Sequence, residues 1–188
     1  MSSPPNITAN SILSDFKDVA FIALGSNLPS TYGTPTKTLQ RAMKSLQNLS
    51  RGPLLRSSTW LSDPIDCPEN SPGFANAVVG LYPREGESAR GLLEKLLDLE
   101  TAFGRKRSTV ANEPRILDLD LISYGFQVIA QEALTIPHPR AYSRAFVLFP
   151  LAEIAPGFVL PGLDKSVGEL AKNLRLTGLD RVKISSQV

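Results

Sequence analysis

The stretch Pro114-Arg115-Ile116-Leu117-Asp118-Leu119-Asp120-Leu121 decides how the rest of the chain is read. Apolar and acidic residues alternate in it, which is the pattern of a strand with two unlike faces. Leu117, Leu119 and Leu121 belong to a core, and Asp118 and Asp120 stand together on the other face, their Cα atoms about 6.5–7 Å apart. Aspartate is depleted in strands, and like charges side by side repel. On spacing alone two readings stay open. One is a solvated outer face with two harmless acids. The other is a site for a hard divalent cation shared with substrate phosphates, the binding habit of Mg²⁺.

Outward from this strand, expected over 116–123, the apolar run Val19–Leu24 closes at Gly25-Ser26-Asn27 and reads as a buried strand. Leu54–Leu61 reads as another. In Phe74–Tyr82, Ala75, Ala77, Val79 and Leu81 share one side, and Phe74, Asn76, Val78 and Tyr82 the other. Thr34 with Pro35 behind it opens a helix over 35–49, with Leu39, Ala42, Met43, Leu46 and Leu49 as its stripe. Ser88 caps a second, whose stripe runs from Ala89 through Leu92, Leu96 and Leu99 to Phe103, with Gly104 as its stop. Tyr124-Gly125 turns the chain towards Gln127-Val128-Ile129. A Pro/His loop, a helical stretch near 140–154 and a weaker tail follow. Strand-helix-strand occurs twice. The expected class is therefore α+β, a ferredoxin-like antiparallel sheet with helices packed on one face. Residues 1–18 are expected as a disordered leader, 19–161 as the domain, and 162–188 as a tail packing on it.

Composition bounds the function. The chain has 188 residues with 20 Lys+Arg against 18 Asp+Glu, a net charge of +2, and 42% apolar residues. A chain of this length buries roughly 70% of its unfolded surface and needs no staple. One cysteine, Cys67, excludes an internal disulfide framework, and one histidine, His138, excludes a two-His metal cluster. The near-neutral balance argues against a nucleic-acid partner. No run approaches the ~18 apolar residues of a membrane span, and residues 1–18 lack a signal-peptide core. The expectation is a cytoplasmic monomer with neither membrane nor nucleic-acid partners. Fifteen prolines, above the usual ~5%, point to many fixed loops.

Three groups surround the acid pair. Arg105, Lys106, Arg107 and Arg115 precede it. They read either as a surface loop pairing with Glu100 or Glu113, or as forks for phosphate oxygens; closeness to the acids favours phosphate. Leu134-Thr135-Ile136-Pro137-His138-Pro139-Arg140 and then Arg144 form a proline-pinned loop suited to a phosphate chain. Phe74 and Phe146 are either plain core or the two sides of a slot for a flat heterocycle, with Asn76 beside them. No P-loop, Gly-x-Gly-x-x-Gly or His-Glu-x-x-His is present. Bound phosphate would therefore depend on side-chain cations and metal.

Taken in order, Phe21-Ile22-Ala23-Leu24-Gly25-Ser26-Asn27-Leu28, Phe74-Ala75-Asn76-Ala77, Gly104-Arg105-Lys106-Arg107, Pro114 to Asp120, Ile136-Pro137-His138-Pro139-Arg140, Arg144-Ala145-Phe146-Val147-Leu148 and Pro150 to Pro156 resemble the motifs of the hydroxymethyldihydropterin pyrophosphokinase family. The resemblance covers roughly residues 19–161. It implies a ferredoxin-like enzyme of folate biosynthesis, a diphosphotransferase using ATP and two Mg²⁺ ions. Pyrophosphate passes from ATP to the hydroxymethyl group of 6-hydroxymethyl-7,8-dihydropterin, and AMP leaves. By motif match it implies that Asp118 and Asp120 hold both metals. Arg105, Arg115, Leu121, Thr135, His138 and Arg144 then serve ATP, and Arg105 and Arg107 assist the transition state. Phe74 and Phe146 sandwich the pterin, and Asn76, Ser62 and Ile65 serve its edge. Glu100 supports the region, and the loops 62–73 and 105–114 are expected to close over it.

Rivals fit less well. A haloacid-dehalogenase-like phosphatase needs its Asp-x-Asp at the first strand, and too little chain follows Asp120. A nucleotidyltransferase keeps Gly-Ser close to Asp-x-Asp, whereas Gly25-Ser26 and Asp118 are far apart. The alternative from another class is a noncatalytic ferredoxin-like nucleotide- or RNA-binding module. It should interleave aromatic and basic residues on central strands, yet 74–82 carries no Lys or Arg.

Overall fold

The computed structural model describes residues 16–64, 71–105, 114–176 and 182–184. Its main sheet is antiparallel, in the order β5 (Asp118–Tyr124), β1 (Ala20–Ser26), β4 (Phe74–Leu81), β3 (Trp60–Ser62), β8 (Val182–Ile184); β2 (Leu55–Arg56) also pairs with β4. β6 (Ile129–Gln131) and β7 (Leu134–Ile136) form a separate hairpin. The helices are α1 (Pro35–Gln47), α2 (Ala89–Ala102), α3 (Ala145–Ile154) and α4 (Val167–Leu176), with a 3-10 turn at Ala141–Ser143. This is an α+β, ferredoxin-like arrangement. Among the described residues no helix is long and apolar enough to cross a membrane.

The local signals act where the sequence puts them. The Thr34 side chain accepts from the Lys37 amide and the Ser88 side chain from the Gly91 amide, so each satisfies a donor that its helix leaves open. Past Phe103 the chain turns at Gly104 with φ +93°, a conformation L side chains rarely adopt.

Strand parity divides the core. Ile22 and Leu24 of β1, Ala77 and Val79 of β4, and Leu119 and Leu121 of β5 pack with Leu39, Leu46, Leu92 and Leu96 of α1 and α2. Phe21, Val78 and Ile122, from the same three strands, pack instead with Trp60 and with Val147, Leu148, Phe149 and Leu151 of α3. Helices therefore lie on both faces of the sheet, which corrects the one-face expectation. The reason is visible in α3. Val147, Leu148, Phe149, Pro150 and Leu151 are all buried, and Glu153 near the end is its one charged residue, so its sequence has no polar stripe to betray its place.

Three further expectations change. The strand expected over 54–61 breaks into β2 and β3, because Ser57 bonds Val78 twice: its amide donates to the Val78 carbonyl (3.0 Å) and its hydroxyl accepts from the Val78 amide (2.9 Å). β5 starts at Asp118 rather than 116, since the Arg115 carbonyl instead receives the Asn27 and Leu28 amides (3.1 and 3.3 Å). The helix expected from about 140 opens as the 3-10 turn, passes through an extended Arg144, and becomes α-helical at Ala145. The tail contributes α4 and β8.

Candidate active site

Beyond the N-terminus of α3, the strands on its face turn polar. Asp118, Asp120 and Ile122 share a face of β5, as do Phe74, Asn76 and Val78 on β4 and Trp60 and Ser62 on β3. The polar members line a cavity of about 280 Å³ with Asp63, Arg105, Arg115, Arg140, Arg144 and Phe146. Between the acids and Asn76 runs β1, where Ala23 is registered with Asp120 and Gly25 with both Asp118 and Asn76. A Cβ at Gly25 would sit 3.8 Å from Asn76 Oδ1 and 3.8 Å from Asp118 Cβ, so anything larger than methyl would grow into the cavity. The sequence reading assigned Gly25 only to a turn. Its parity with Phe21 was the signal that places it on the floor.

The two carboxylates differ in their surroundings. Asp118 takes a hydrogen bond from Arg105 Nη1 on one oxygen and from Arg115 Nη1 (3.0 Å) on the other. Arg105 also donates to Glu100 (2.5 Å), a buried residue on α2 whose Oε1 accepts the Leu119 amide (2.7 Å). Burial works against the Arg105 charge, but Asp118 and Glu100 together hold its guanidinium above the usual range. Asp120 has Arg144 Nη1 at 3.8 Å. Burial first and the Asp118 charge second push its carboxyl up, against the opposing pull of His138, Arg144 and Arg115. Burial pushes the His138 imidazole below its ordinary range, with Asp120 opposing. Burial and the neighbouring Arg140 charge lower Arg144.

The aromatic walls carry cations. Arg115 lies 5.9 Å from the centroid of the Phe74 ring, and Arg144 5.3 Å from that of Phe146. Asn76 Nδ2 donates to Ser62 Oγ (2.9 Å), which fixes the orientation of the amide. Arg115 Nε is buried and has no hydrogen-bond partner among the described residues, so it is a donor these residues leave unused. This constellation can hold an anion against a cationic wall and a flat ring between aromatics.

Of the residues singled out from the sequence, Ser62, Phe74, Asn76, Arg105, Arg115, Asp118, Asp120, Arg144 and Phe146 meet in this cavity. Arg107 and Ile65 lie outside the described residues, as do most of the loops expected to close over the site. His138 does not line the cavity; its amide donates to the Ile122 carbonyl (2.9 Å) and its Nδ1 accepts from the Arg140 amide (3.2 Å), so Nε2 is the ring nitrogen left without a partner among the described residues. Leu121 is buried on the α1/α2 face, so its side chain cannot reach a ligand here. Thr135 is exposed on β7, opposite Ala130, and does not line the cavity. Arg140 does line it. This agrees with its place in the proline-pinned loop read from the sequence as suited to a phosphate chain, although the family motif gives it no role.

Comparison with known proteins bears on the family. The sequence model of the family described as 7,8-dihydro-6-hydroxymethylpterin-pyrophosphokinase (HPPK) matches residues 21–156. A 2-amino-4-hydroxy-6-hydroxymethyldihydropteridine pyrophosphokinase of Haemophilus influenzae is 40% identical over 153 residues, 81% of this chain and 91% of that protein. One from Synechocystis is 38% identical over 160 residues, covering 85% and 78%. Among solved structures, the Plasmodium falciparum HPPK-DHPS wild type with pteroate superposes at a TM-score of 0.65 with 12% identity, over 88% of this chain. The chain spans about half of that protein (47%), so this likeness speaks to the fold alone. With the family model over most of the chain and relatives of 38–40% identity, the chain belongs to the 7,8-dihydro-6-hydroxymethylpterin-pyrophosphokinase family.

Proposed function

We propose that this cavity transfers the pyrophosphoryl group of ATP to the hydroxymethyl group of 6-hydroxymethyl-7,8-dihydropterin, with release of AMP, in folate biosynthesis. The observation that carries the reading is the meeting of two strand carboxylates, four arginines and two phenylalanines around one cavity. The hydroxymethyl oxygen attacks the β-phosphorus. A new O–P bond forms, the bridge between the α- and β-phosphates breaks, and AMP departs with the bridging oxygen. Such transfers rest on positioning and on stabilising charge at the phosphoryl oxygens. Arg105, Arg115, Arg140 and Arg144 supply the fixed positive wall, and the unpartnered Arg115 Nε is one donor ready for a phosphate oxygen. Phe74 and Phe146 hold the ring, and Asn76, oriented by Ser62, meets its polar edge.

Asp118 and Asp120 would hold Mg²⁺, taken as two ions. The donor set fits: two carboxylates on one strand face suit a hard ion that takes its remaining ligands from phosphates and water. An added cation would relieve the Asp120 charge, which burial and Asp118 disfavour. When bound, Mg²⁺ neutralises phosphate oxygens and makes the hydroxymethyl group more acidic. Arg105 and Arg115, which pair with Asp118, would be the cations beside the metal that meet the phosphate oxygens. His138, with Nε2 free, serves the phosphate chain as a neutral donor. Arg107 and Ile65 are assigned by motif alone. We take the protein to act as a cytoplasmic monomer, and its net charge of +2 favours a reading without a nucleic-acid partner.

The test is nucleotide analysis after incubation with ATP, Mg²⁺ and 6-hydroxymethyl-7,8-dihydropterin. AMP formed only in the presence of pterin supports the reading; ADP or free phosphate would overturn it.

A further inference from the structure

We infer that Asn27, which does not line the cavity, is a positioning residue joining its phosphate-facing and pterin-facing halves. The inference rests on the function proposed above. Asn27 follows the last residue of β1 and is 2% exposed. Its Oδ1 accepts from the Arg115 amide (2.7 Å), and its Nδ2 donates to the Pro72 carbonyl (3.3 Å). Its own amide donates to the Arg115 carbonyl (3.1 Å). Both peptide groups of Arg115 are thus held by one residue. Arg115 carries the guanidinium that grips Asp118 and lies over Phe74, while Pro72 is two residues before Phe74. One buried amide therefore spans the approach to the pterin wall and the arginine of the phosphate wall. A buried side chain with both amide atoms engaged fixes these segments relative to each other.

The consequence is thermodynamic. A nucleotide that draws Arg115 towards phosphate acts through Asn27 on Pro72 and Phe74, so ATP tightens pterin binding, and by linkage pterin tightens ATP binding equally. Asn27→Ala removes both side-chain bonds. Asn27→Asp keeps shape and the acceptor for Arg115 but, when ionised, has no donor for Pro72.

The experiment titrates pterin fluorescence with and without an ATP analogue carrying a methylene bridge between the α- and β-phosphates, in Mg²⁺, for the whole chain. In the parent protein the analogue tightens pterin binding. In both variants that tightening factor falls by about fivefold or more, while pterin affinity without nucleotide changes less. A factor unchanged in a folded variant overturns the inference. Amide exchange of the parent protein covers the case in which the variants do not fold: pterin alone should slow exchange at the Arg115 amide, and no change there overturns the inference as well. A parent protein that binds neither ligand would instead contradict the proposed function.

Discussion

The two faces of the same three strands differ in what they ask of a residue. Towards α1 and α2, β1, β4 and β5 present aliphatic side chains along their length, and the face works only by exclusion of water. Towards α3, they present Phe21, Val78 and Ile122 under the helix and then Asp118, Asp120, Asn76 and the bare Gly25 beyond its end. Leu119 and Asp120 are neighbours in sequence with opposite roles. The first contributes stability and nothing to chemistry. The second costs stability, because burial and Asp118 disfavour its charge, and its use lies in the binding role proposed for it. Residues that break strand preference, such as aspartate and glycine in mid-sheet, mark where function displaces stability.

This contrast can be broken in four ways, from the largest effect to the smallest. Asp118→Ala or Asp120→Ala should reduce turnover by several orders of magnitude with the circular dichroism spectrum intact; near-parental rates in either would remove the carboxylates from the chemistry. Leu119→Ala should do the reverse. It should lower unfolding free energy in urea by about 2–5 kcal/mol while leaving KM for both substrates unchanged at temperatures where the variant is folded. Phe74→Ala should weaken pterin binding by about 1–3 kcal/mol, the range for losing one stacking platform, with ATP-analogue affinity little altered; equal loss for both ligands would count against the ring as a pterin wall. Asp120→Asn should raise the Tm of the metal-free protein at pH 7. An acid whose carboxyl is pushed up on folding binds more protons folded than unfolded, so it costs stability once pH passes its unfolded range. The gain from the amide should therefore shrink as pH is lowered towards the ordinary carboxylate range, and a gain that grows with acidity would reverse the sign.

How far the sequence carries depends on whether a signal is local. Thr34-Pro35 and Ser88 mark their helices because a cap is satisfied within three residues. The Leu-Asp alternation over 117–121 places five side chains on two faces without knowledge of any partner. The broken strand at Ser57 depends on Val78, more than twenty residues away, and no local pattern announces it. Apart from Glu153 near its end, α3 is apolar, so periodicity cannot choose its face. β6, β7 and β8 are three residues each, too short to stand out. In the site, charged and aromatic residues were found because they are costly unless used. Gly25 and Asn27 were seen only as a turn, since their roles consist of space and of bonds to distant backbone.

The central claim is that the polar end of the α3-facing surface moves two phosphates as one unit. The most direct test labels the β-phosphorus of ATP and follows it after reaction with 6-hydroxymethyl-7,8-dihydropterin and Mg²⁺. The account predicts unlabelled AMP and the label bonded directly to the pterin hydroxymethyl oxygen. Label retained in ADP, with a singly phosphorylated pterin, would contradict it.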